Sequence, residues 1–155
     1  MATPAIGKKA PAFAAPATGD QTIELAALKG RKVVLYFYPK DSTPGCTKEG
    51  CDFRDNMNRL KRAGAVVLGV SRDSIASHEK FKEAQGFNFD LLSDKDEALC
   101  NAYGVMKDKI MYGKKVRGVE RSTFLIDEDG ILRKEWRGVN VDGHVDEVLS
   151  ALKEL

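Results

Sequence analysis

The sequence predicts an α/β protein in which a central mixed β-sheet carries helices on both faces. Residues 33–38 and 65–71 are short, almost wholly apolar segments rich in β-branched and aromatic side chains, which is typical of buried strands. A pattern of helical period separates them, so the two strands are expected to lie parallel and to be joined by a crossover helix. Near the C-terminus, a Glu-Asp-Gly turn at 128–130 joins two further strands into an antiparallel hairpin.

The expected elements follow the order β-α-β-α-β-α-β-β-α. The strands are expected at 32–38, 65–71, 89–93, 122–127 and 131–137, and the helices at 46–62, 74–85, 94–102 and 142–152. A short edge strand near Phe13, a turn at Gly19-Asp20 and one helical turn at 25–28 precede them. Residues 106–120 show no clear period and carry five basic side chains, which predicts a solvated loop with room for a short strand. This order is that of the thioredoxin-like fold, and the absence of repeats and linkers predicts a single domain over residues 1–155.

Composition and charge exclude several functional classes. The chain has 155 residues with 25 basic and 23 acidic side chains, and the two signs are interspersed, so neither a nucleic-acid nor a membrane partner is predicted. No run of about 18 apolar residues is present, and the N-terminal residues lack the apolar core of a signal peptide, which predicts a cytoplasmic protein. Three cysteines at uneven spacing do not form the pattern of a secreted disulfide framework. A close cysteine pair in a reducing compartment indicates redox chemistry or a metal site.

The stretch 37–51 is the strongest candidate for a reactive site, because it places a cysteine at the start of a helix. A turn rich in proline and glycine connects the strand ending at Tyr38 to that helix, and Cys46 falls in the first helical turn. Unpaired backbone N–H groups and the positive end of the helix dipole favour a thiolate there. Thr43, three residues earlier, offers a hydroxyl that can donate to the sulfur or to its substrate. An inert, buried Cys46 is the alternative, and the position after this turn argues against it.

Cys51 lies in the same predicted helix, five residues after Cys46. In an intact helix that offset separates the two Cα atoms by roughly 8.7 Å, whereas a disulfide requires them within about 7 Å. A bond between these two cysteines therefore requires the first helical turns to unwind. Gly50 favours unwinding, because a glycine inside a helix costs about 1 kcal/mol relative to alanine. Close packing of the helix against the sheet explains the same glycine equally well.

The remaining cysteine, the two histidines and the tryptophan are expected to be structural. Cys100 lies on an apolar stripe and is expected to be a packed core residue. His78 and His144 lie on helical faces, as polar surface or packing residues rather than as bases. Trp136 is expected in the core.

The stretch around Cys46 resembles the active-site signature of the peroxiredoxins. Pro39, Thr43 and Cys46 match the pattern Pro-x-x-x-Thr-x-x-Cys. The continuation Thr-Pro-Gly-Cys-Thr-x-Glu-x-Cys is similar to the bacterioferritin-comigratory, or Q-type, branch of that family. The similarity continues through 91–94, 103–105 and 121–127, and it covers essentially the whole chain.

The resemblance implies a peroxidase chemistry centred on Cys46. As the peroxidatic cysteine, its thiolate would attack the O–O bond of hydrogen peroxide or of an organic hydroperoxide and become a sulfenic acid. The resemblance implies that Thr43 donates a hydrogen bond to the leaving oxygen and that Arg121 stabilises the developing negative charge. Both roles agree with the chemistry of a hydroxyl and a guanidinium group. It also implies that Pro39 shields the sulfenic acid from solvent and that Glu49 orients an arginine by hydrogen bonding.

The resemblance further implies that Cys51 is the resolving cysteine. It would form an intramolecular disulfide with Cys46, and thioredoxin or a glutaredoxin-like protein would reduce that disulfide. Some relatives carry the resolving cysteine on the next helix, but the predicted helix at 74–85 contains none. No cofactor or metal is expected, and a monomer is expected because Q-type relatives are often monomeric.

Two alternatives from other functional classes remain open at this point. A metal-binding or redox-sensing module would use Cys46, Cys51 and a histidine, although zinc sites usually combine two close cysteine pairs. A general thiol-disulfide oxidoreductase would exchange protein disulfides without peroxide, although its usual Cys-x-x-Cys pair is absent.

Overall fold

The computed structural model describes residues 4–155, so residues 1–3 of the expected domain and the side chain of Met111 lie outside this description. A mixed sheet of seven strands forms the centre, with a two-stranded hairpin beside it. The strands are β1 (Ala14–Ala17), β2 (Gln21–Glu24), β3 (Lys32–Phe37), β4 (Ala65–Ser71), β5 (Asp90–Ser93), β6 (Met106–Met111), β7 (Lys114–Val119), β8 (Ser122–Ile126) and β9 (Leu132–Arg137). The helices are α1 (Pro44–Asp55), α2 (Met57–Arg62), α3 (Ile75–Gln85), α4 (Ala98–Ala102) and α5 (His144–Lys153), and a 3-10 turn spans Leu25–Leu28. Within the described range, no helix has the length and apolar character needed to cross a bilayer.

Strand β3 lies inside the sheet, whose order is β2-β1-β5-β4-β3-β8-β9. It pairs in parallel with β4, and β4 pairs in parallel with β5, because the intervening helices supply the crossovers. On its other side β3 pairs antiparallel with β8, which continues through a hairpin into β9. The predicted mixed sheet is therefore confirmed.

Alternation along β3 divides the apolar core between the two faces of the sheet. Val34 and Tyr36 belong to one cluster, which also contains apolar residues of α1, α2, α3 and α5. Val33 and Leu35 belong to a second cluster, to which α4 and the 3-10 turn contribute. Successive side chains of a strand point to opposite faces, so a nearly all-apolar strand requires cover on both. The helices on both faces are confirmed.

The helix predicted at 46–62 is two helices in the structure. α1 begins at Pro44 and ends at Asp55, and α2 starts at Met57. Between them, the side-chain amide of Asn56 donates to the carbonyl oxygen of Asp52 at 2.8 Å. Asparagine side chains compete with the backbone for such bonds, which interrupts helices. The predicted apolar stripe is nevertheless buried throughout: Cys46, Gly50, Phe53, Met57 and Leu60.

The loop predicted at 106–120 is a hairpin, although the segment is solvent-exposed over much of its length, as predicted, and the predicted short strand is one of two. These residues form the hairpin β6–β7, paired continuously from Met106 with Val119 to Met111 with Lys114. The turn residues Tyr112 and Gly113 have φ values of 52° and 75°, the left-handed conformations that a tight hairpin turn requires. Tyrosine rarely adopts this conformation, so Gly113 was the single local signal for the turn.

The helix predicted at 94–102 is shorter than expected and begins at Ala98. The carboxylate of Asp94 accepts hydrogen bonds from the backbone N–H groups of Leu99 and Cys100 at 3.0 and 2.8 Å. Asp94 therefore supports the start of the helix from outside it, since N–H groups at a helix start lack helical partners.

Both histidines are buried, so the surface alternative for them is wrong. His78 and His144 are 0% and 1% exposed, and the Nε2 atom of His144 lies 2.8 Å from the hydroxyl oxygen of Thr123. Trp136 is half-buried at the margin of the core, edge-on to the ring of His144. Cys100 is fully buried, as predicted.

A buried hydrogen-bond network fastens the loop between β3 and α1 to α3. The carboxylate of Asp41 accepts from the hydroxyl groups of Tyr38 and Ser77 at 2.6 and 2.8 Å, and from Nδ1 of His78 at 2.7 Å. Nε2 of His78 lies 2.8 Å from the carbonyl oxygen of Leu92, which extends the network to β5. Burial alone would raise the pKa of Asp41, but the hydrogen bonds from His78 and Tyr38 lower it. The network therefore stabilises the ionised carboxylate.

Replacing Asp41 by asparagine should lower the free energy of unfolding by about 1.5–3 kcal/mol, the usual cost of losing hydrogen bonds to a buried charged group. The amide nitrogen of asparagine cannot accept a hydrogen bond, so at least one donor would lose its partner. Urea unfolding followed by circular dichroism measures this loss.

The matched control is Asp108→Asn in the hairpin β6–β7, where the carboxylate is 60% exposed. This control should change the free energy of unfolding by less than about 0.5 kcal/mol. Equal losses in the two variants would contradict a stabilising role for the network.

Candidate active site

Cys46 is the third residue of α1, the helix that follows the C-terminal end of β3. The first helical hydrogen bond runs from the N–H of Thr47 to the carbonyl oxygen of Thr43 at 2.9 Å. The N–H groups of Gly45 and Cys46 therefore precede the helical ladder, at the positive end of the helix dipole. Pro44 suits the first helical position, because its fixed φ matches the helix and it has no N–H to leave unpaired. The sequence placed Cys46 correctly in the first turn.

Strand pairing brings Arg121 to the same place. β8 runs antiparallel to β3 with Ser122 opposite Phe37, so the residue before β8 lies beside the end of β3. From there, Nη2 of Arg121 donates to Sγ of Cys46 at 3.4 Å. Gly45 leaves space for this contact, because a Cβ atom at that position would lie 3.1 Å from Nη2. The structure thus brings the arginine and the cysteine together across 75 residues of sequence.

Glu49 lies on the other side of the same guanidinium group. Its Oε1 atom accepts from Nη1 of Arg121 at 2.7 Å, and the Glu49 side chain is 1% exposed. Its Oε2 atom is buried and has no hydrogen-bond partner among the described residues. Burial raises the pKa of Glu49 to about 7, although Arg121 acts in the opposite direction. One cation is therefore shared between a sulfur atom and a buried carboxyl group.

Thr43 and Pro39 lie in the loop that leads to α1. The hydroxyl of Thr43 donates to the carbonyl oxygen of Lys40 at 2.9 Å. A hydroxyl has a single proton, so in this state Thr43 directs it to the loop backbone and not to the sulfur, and donation to the substrate stays a prediction. Pro39 is half-buried at the start of the loop.

Cys51 and Cys46 are both free thiols in an unbroken helix. Helix geometry therefore separates their Cα atoms by roughly 8.7 Å, too far for a disulfide. Cys51 is half-buried, and its Sγ atom donates to Oε1 of Gln85 at 3.6 Å. The structure is thus that of the reduced, folded helix.

Gly50 packs against an aromatic ring that the sequence did not identify. A Cβ atom at position 50 would lie 2.8 Å from Cε1 of Phe87 and closer still to its Cζ. Real Cβ atoms essentially never approach another atom so closely, so this glycine is required for packing. Of the two explanations of Gly50, the close-packing one is supported, although the packing partner is Phe87 and not the sheet itself.

The histidines lie apart from the cysteine pair. Nδ1 of His78 pairs with Asp41, and Nε2 of His144 pairs with Thr123. Within residues 4–155, the acidic, histidine and cysteine side chains close enough to share an ion are Asp41, Asp73 and His78, a set without cysteine.

The third cysteine lies in the second apolar cluster, separate from Cys46. Burial and the neighbouring Asp94 raise the pKa of Cys100 far above its usual range. Cys100 therefore stays a thiol at neutral pH, which agrees with a structural role.

Comparison with known proteins identifies the family. The model of the AhpC/TSA family matches residues 6–135. The chain is 57% identical over 135 residues to peroxiredoxin Bcp of Xanthomonas campestris, which covers 87% of this chain and 84% of that protein.

Two solved structures are similar to this one over most of its length. The bacterioferritin comigratory protein of Xanthomonas campestris, in a structure concerned with alkyl peroxide reduction, has a TM-score of 0.88 at 52% identity and covers 92% of this chain and 90% of that one. A cysteine-to-serine mutant of PrxQ from Xylella fastidiosa has a TM-score of 0.93 at 42% identity and covers 99% and 98%. The predicted thioredoxin-like fold is confirmed, and the chain belongs to the AhpC/TSA family, as a peroxiredoxin of the Bcp, or Q-type, branch.

Proposed function

We propose that this peroxiredoxin reduces hydrogen peroxide and organic hydroperoxides with Cys46 as the nucleophile and Cys51 as the resolving cysteine. The observation that carries the proposal is the contact of 3.4 Å between the Arg121 guanidinium group and the Cys46 sulfur at the start of α1. A thiolate in this position is stabilised by a cation and by backbone N–H groups. The alkyl peroxide reduction studied in the Xanthomonas campestris protein supports organic hydroperoxides as substrates.

In the first step, the Cys46 thiolate attacks the terminal oxygen of the peroxide. The new S–O bond forms as the O–O bond breaks, so the sulfur is oxidised to a sulfenic acid and the peroxide is reduced. The leaving oxygen departs as an alkoxide or hydroxide and takes up a proton to become alcohol or water. Arg121 stabilises the negative charge as it moves from the sulfur to the leaving oxygen.

Thr43 and Pro39 position the peroxide and protect the product. Because the proton of the Thr43 hydroxyl is directed to Lys40, its oxygen has lone pairs available to accept from the O–H of the peroxide. Pro39 lacks an N–H donor and lies half-buried at the edge of the loop. We assign it to limiting the access of water to the sulfenic acid.

Glu49 is a positioning residue, because it acts on the sulfur through Arg121. Its hydrogen bond of 2.7 Å fixes one edge of the guanidinium group and leaves Nη2 directed at Cys46. A planar guanidinium with donors on two edges can serve both partners at once, which a lysine could not do with the same geometry.

In the second step, the Cys51 thiolate attacks the sulfenic acid sulfur of Cys46. The S–S bond forms as the S–O bond breaks, and the hydroxyl leaves as water after protonation. The intact α1 keeps the two sulfur-bearing residues too far apart, so residues 46–51 unwind before this step. A dithiol protein of the thioredoxin or glutaredoxin type then reduces the disulfide by exchange, and α1 refolds.

We also propose that the protein is a monomer and acts in the cytoplasm. Both cysteines of the disulfide are in one chain, so resolution does not need a second subunit. The reducing cytoplasm supplies dithiol reductants of the thioredoxin type.

Cys46→Ser should abolish peroxide consumption in an assay with thioredoxin, its reductase and NADPH. Cys51→Ser should consume one equivalent of peroxide and then stop, without the intramolecular disulfide that mass spectrometry would detect in the unmodified protein. Cys100→Ser is the matched control and should retain turnover, since Cys100 is buried away from the site. Turnover of protein disulfides without peroxide, or a stoichiometric metal ion in the purified protein, would overturn the proposal.

The free energy of unfolding of the reduced protein should carry a contribution from Glu49 that falls as pH rises. Burial raises its folded-state pKa from 4.5 to about 7, so the unfolded chain loses this proton at lower pH than the folded protein. The contribution of Glu49 to the free energy of unfolding is therefore fully present below about pH 4.5. It falls as the pH rises to about 7, by about 3 kcal/mol in total.

Urea unfolding at a series of pH values between about 5 and 8 tests this, because Glu49→Gln should remove that contribution. Glu83→Gln on the exposed side of α3 is the control, since it removes a solvated carboxylate. Identical pH profiles for the unmodified protein and Glu49→Gln would show that Glu49 does not titrate differently in the folded state.

A further inference from the structure

Four contacts join α1 to the last residue of α3 and the three residues after it; we call residues 85–88 the 85–88 segment. The ring of Phe87 covers Gly50, and the side chain of Gln85 accepts from the Cys51 thiol at 3.6 Å. The guanidinium group of Arg54 donates to the main-chain carbonyl of Gln85. The side chain of Asn88 donates to the Arg54 carbonyl oxygen at 3.3 Å. These contacts lie on the part of α1 that includes Cys51.

The 85–88 segment is fixed independently of α1. Gly86 has a φ of 63° and ends α3 in the left-handed conformation, with its N–H donating to the carbonyl oxygen of Glu83. The N–H of Phe87 donates to the carbonyl oxygen of Lys82 at 3.0 Å, which completes a helix-ending motif of the Schellman kind. These hydrogen bonds hold the segment to α3 without any contribution from α1.

The ring of Phe87 also packs against two other aromatic rings. It stacks on Phe89 with ring centroids 5.1 Å apart and meets Phe81 edge-on at 4.9 Å. A ring held on these sides cannot swing away from Gly50 without disturbing the core. Any movement of Gly50 away from its helical position must therefore break its contact with Phe87.

We propose that the 85–88 segment is a latch that keeps α1 wound, and that Phe87 and Arg54 are positioning residues for the resolving step. The proposal rests on the proposed function, because it concerns the unwinding of residues 46–51 that the Cys46–Cys51 disulfide requires. Gly50 and Cys51 both move in that unwinding, so the contacts of Phe87 and Gln85 are lost before Cys51 reaches Cys46. Arg54 holds the next turn of α1 to the carbonyl end of α3, which limits how far the unwinding extends.

The latch sets how long the sulfenic acid of Cys46 survives. While α1 stays wound, the sulfenic acid can react with a second peroxide, which gives the sulfinic acid and one more molecule of alcohol or water. Once α1 unwinds, the sulfenic acid reacts with the Cys51 thiol instead, which gives the disulfide and water. A weaker latch thus favours the disulfide, and a stronger one favours overoxidation.

Phe87→Leu tests the latch, because leucine lacks the three distal ring atoms that meet Gly50. The variant and the unmodified protein are mixed rapidly with one equivalent of hydrogen peroxide, quenched with a thiol-alkylating reagent and analysed by mass spectrometry over time. Disulfide formation should be about tenfold faster in Phe87→Leu, whereas sulfenic acid formation should change by less than about twofold. With excess peroxide, the variant should accumulate less sulfinic acid at Cys46.

Phe89→Leu is the matched control, because it removes the same ring atoms from the same aromatic cluster without being among the nearest neighbours of Gly50. If Phe89→Leu accelerates resolution as much as Phe87→Leu, general loosening of the core explains the effect and the latch is overturned. If the unmodified protein forms no Cys46–Cys51 disulfide at all, it is the proposed function that fails.

Introducing Gly50→Ala into the unmodified protein and into Phe87→Leu gives a second, independent test. In the presence of Phe87, the new Cβ meets the ring, so the wound helix is destabilised and disulfide formation should accelerate. In the Phe87→Leu background the ring atoms are gone, so alanine stabilises the helix and should slow disulfide formation about fivefold. An effect of the same sign in both backgrounds would overturn the role of Phe87.

Discussion

A single guanidinium group connects the reactive sulfur to the sheet, and the site depends on it. Arg121 reaches Cys46 only because β8 pairs antiparallel with β3 and so begins where β3 ends. Gly45 leaves space for the group, and Glu49 fixes its other edge. The same cation thus lies between the Cys46 sulfur at the helix start and the buried carboxyl group of Glu49.

This arrangement carries an electrostatic cost, because it buries a carboxyl group beside the cation. One oxygen of Glu49 is buried without a hydrogen-bond partner among residues 4–155, and burial is costly for the ionised form of this carboxyl group. In the latch that we propose, packing of Gly50 against Phe87 and the hydrogen bond from Arg54 to the end of α3 oppose the unwinding of residues 46–51. The contacts of this latch lie at Gly50, Cys51 and Arg54, whereas Cys46 lies in the first turn of α1.

Strands with a continuous apolar run could be predicted from the sequence, because a strand buried on both faces has consecutive apolar residues. The hairpin β6–β7 was missed, since its turn contains Tyr112 in a conformation unusual for that residue. The break at Asn56 was missed because it depends on one side-chain bond to Asp52. The buried position of His78 depends on its pairing with Asp41, which is 37 residues away in the sequence. No local pattern near either residue predicts this pairing.

For the site, the sequence by itself determined that Cys46 lies in the first turn of a helix and that Cys51 cannot reach it while the helix is intact. Both conclusions follow from local spacing and helix geometry. Only the tertiary structure decided that Arg121 touches the sulfur and that Gly50 serves packing. These facts depend on contacts between segments distant in the chain, which register and packing create and which no local pattern encodes.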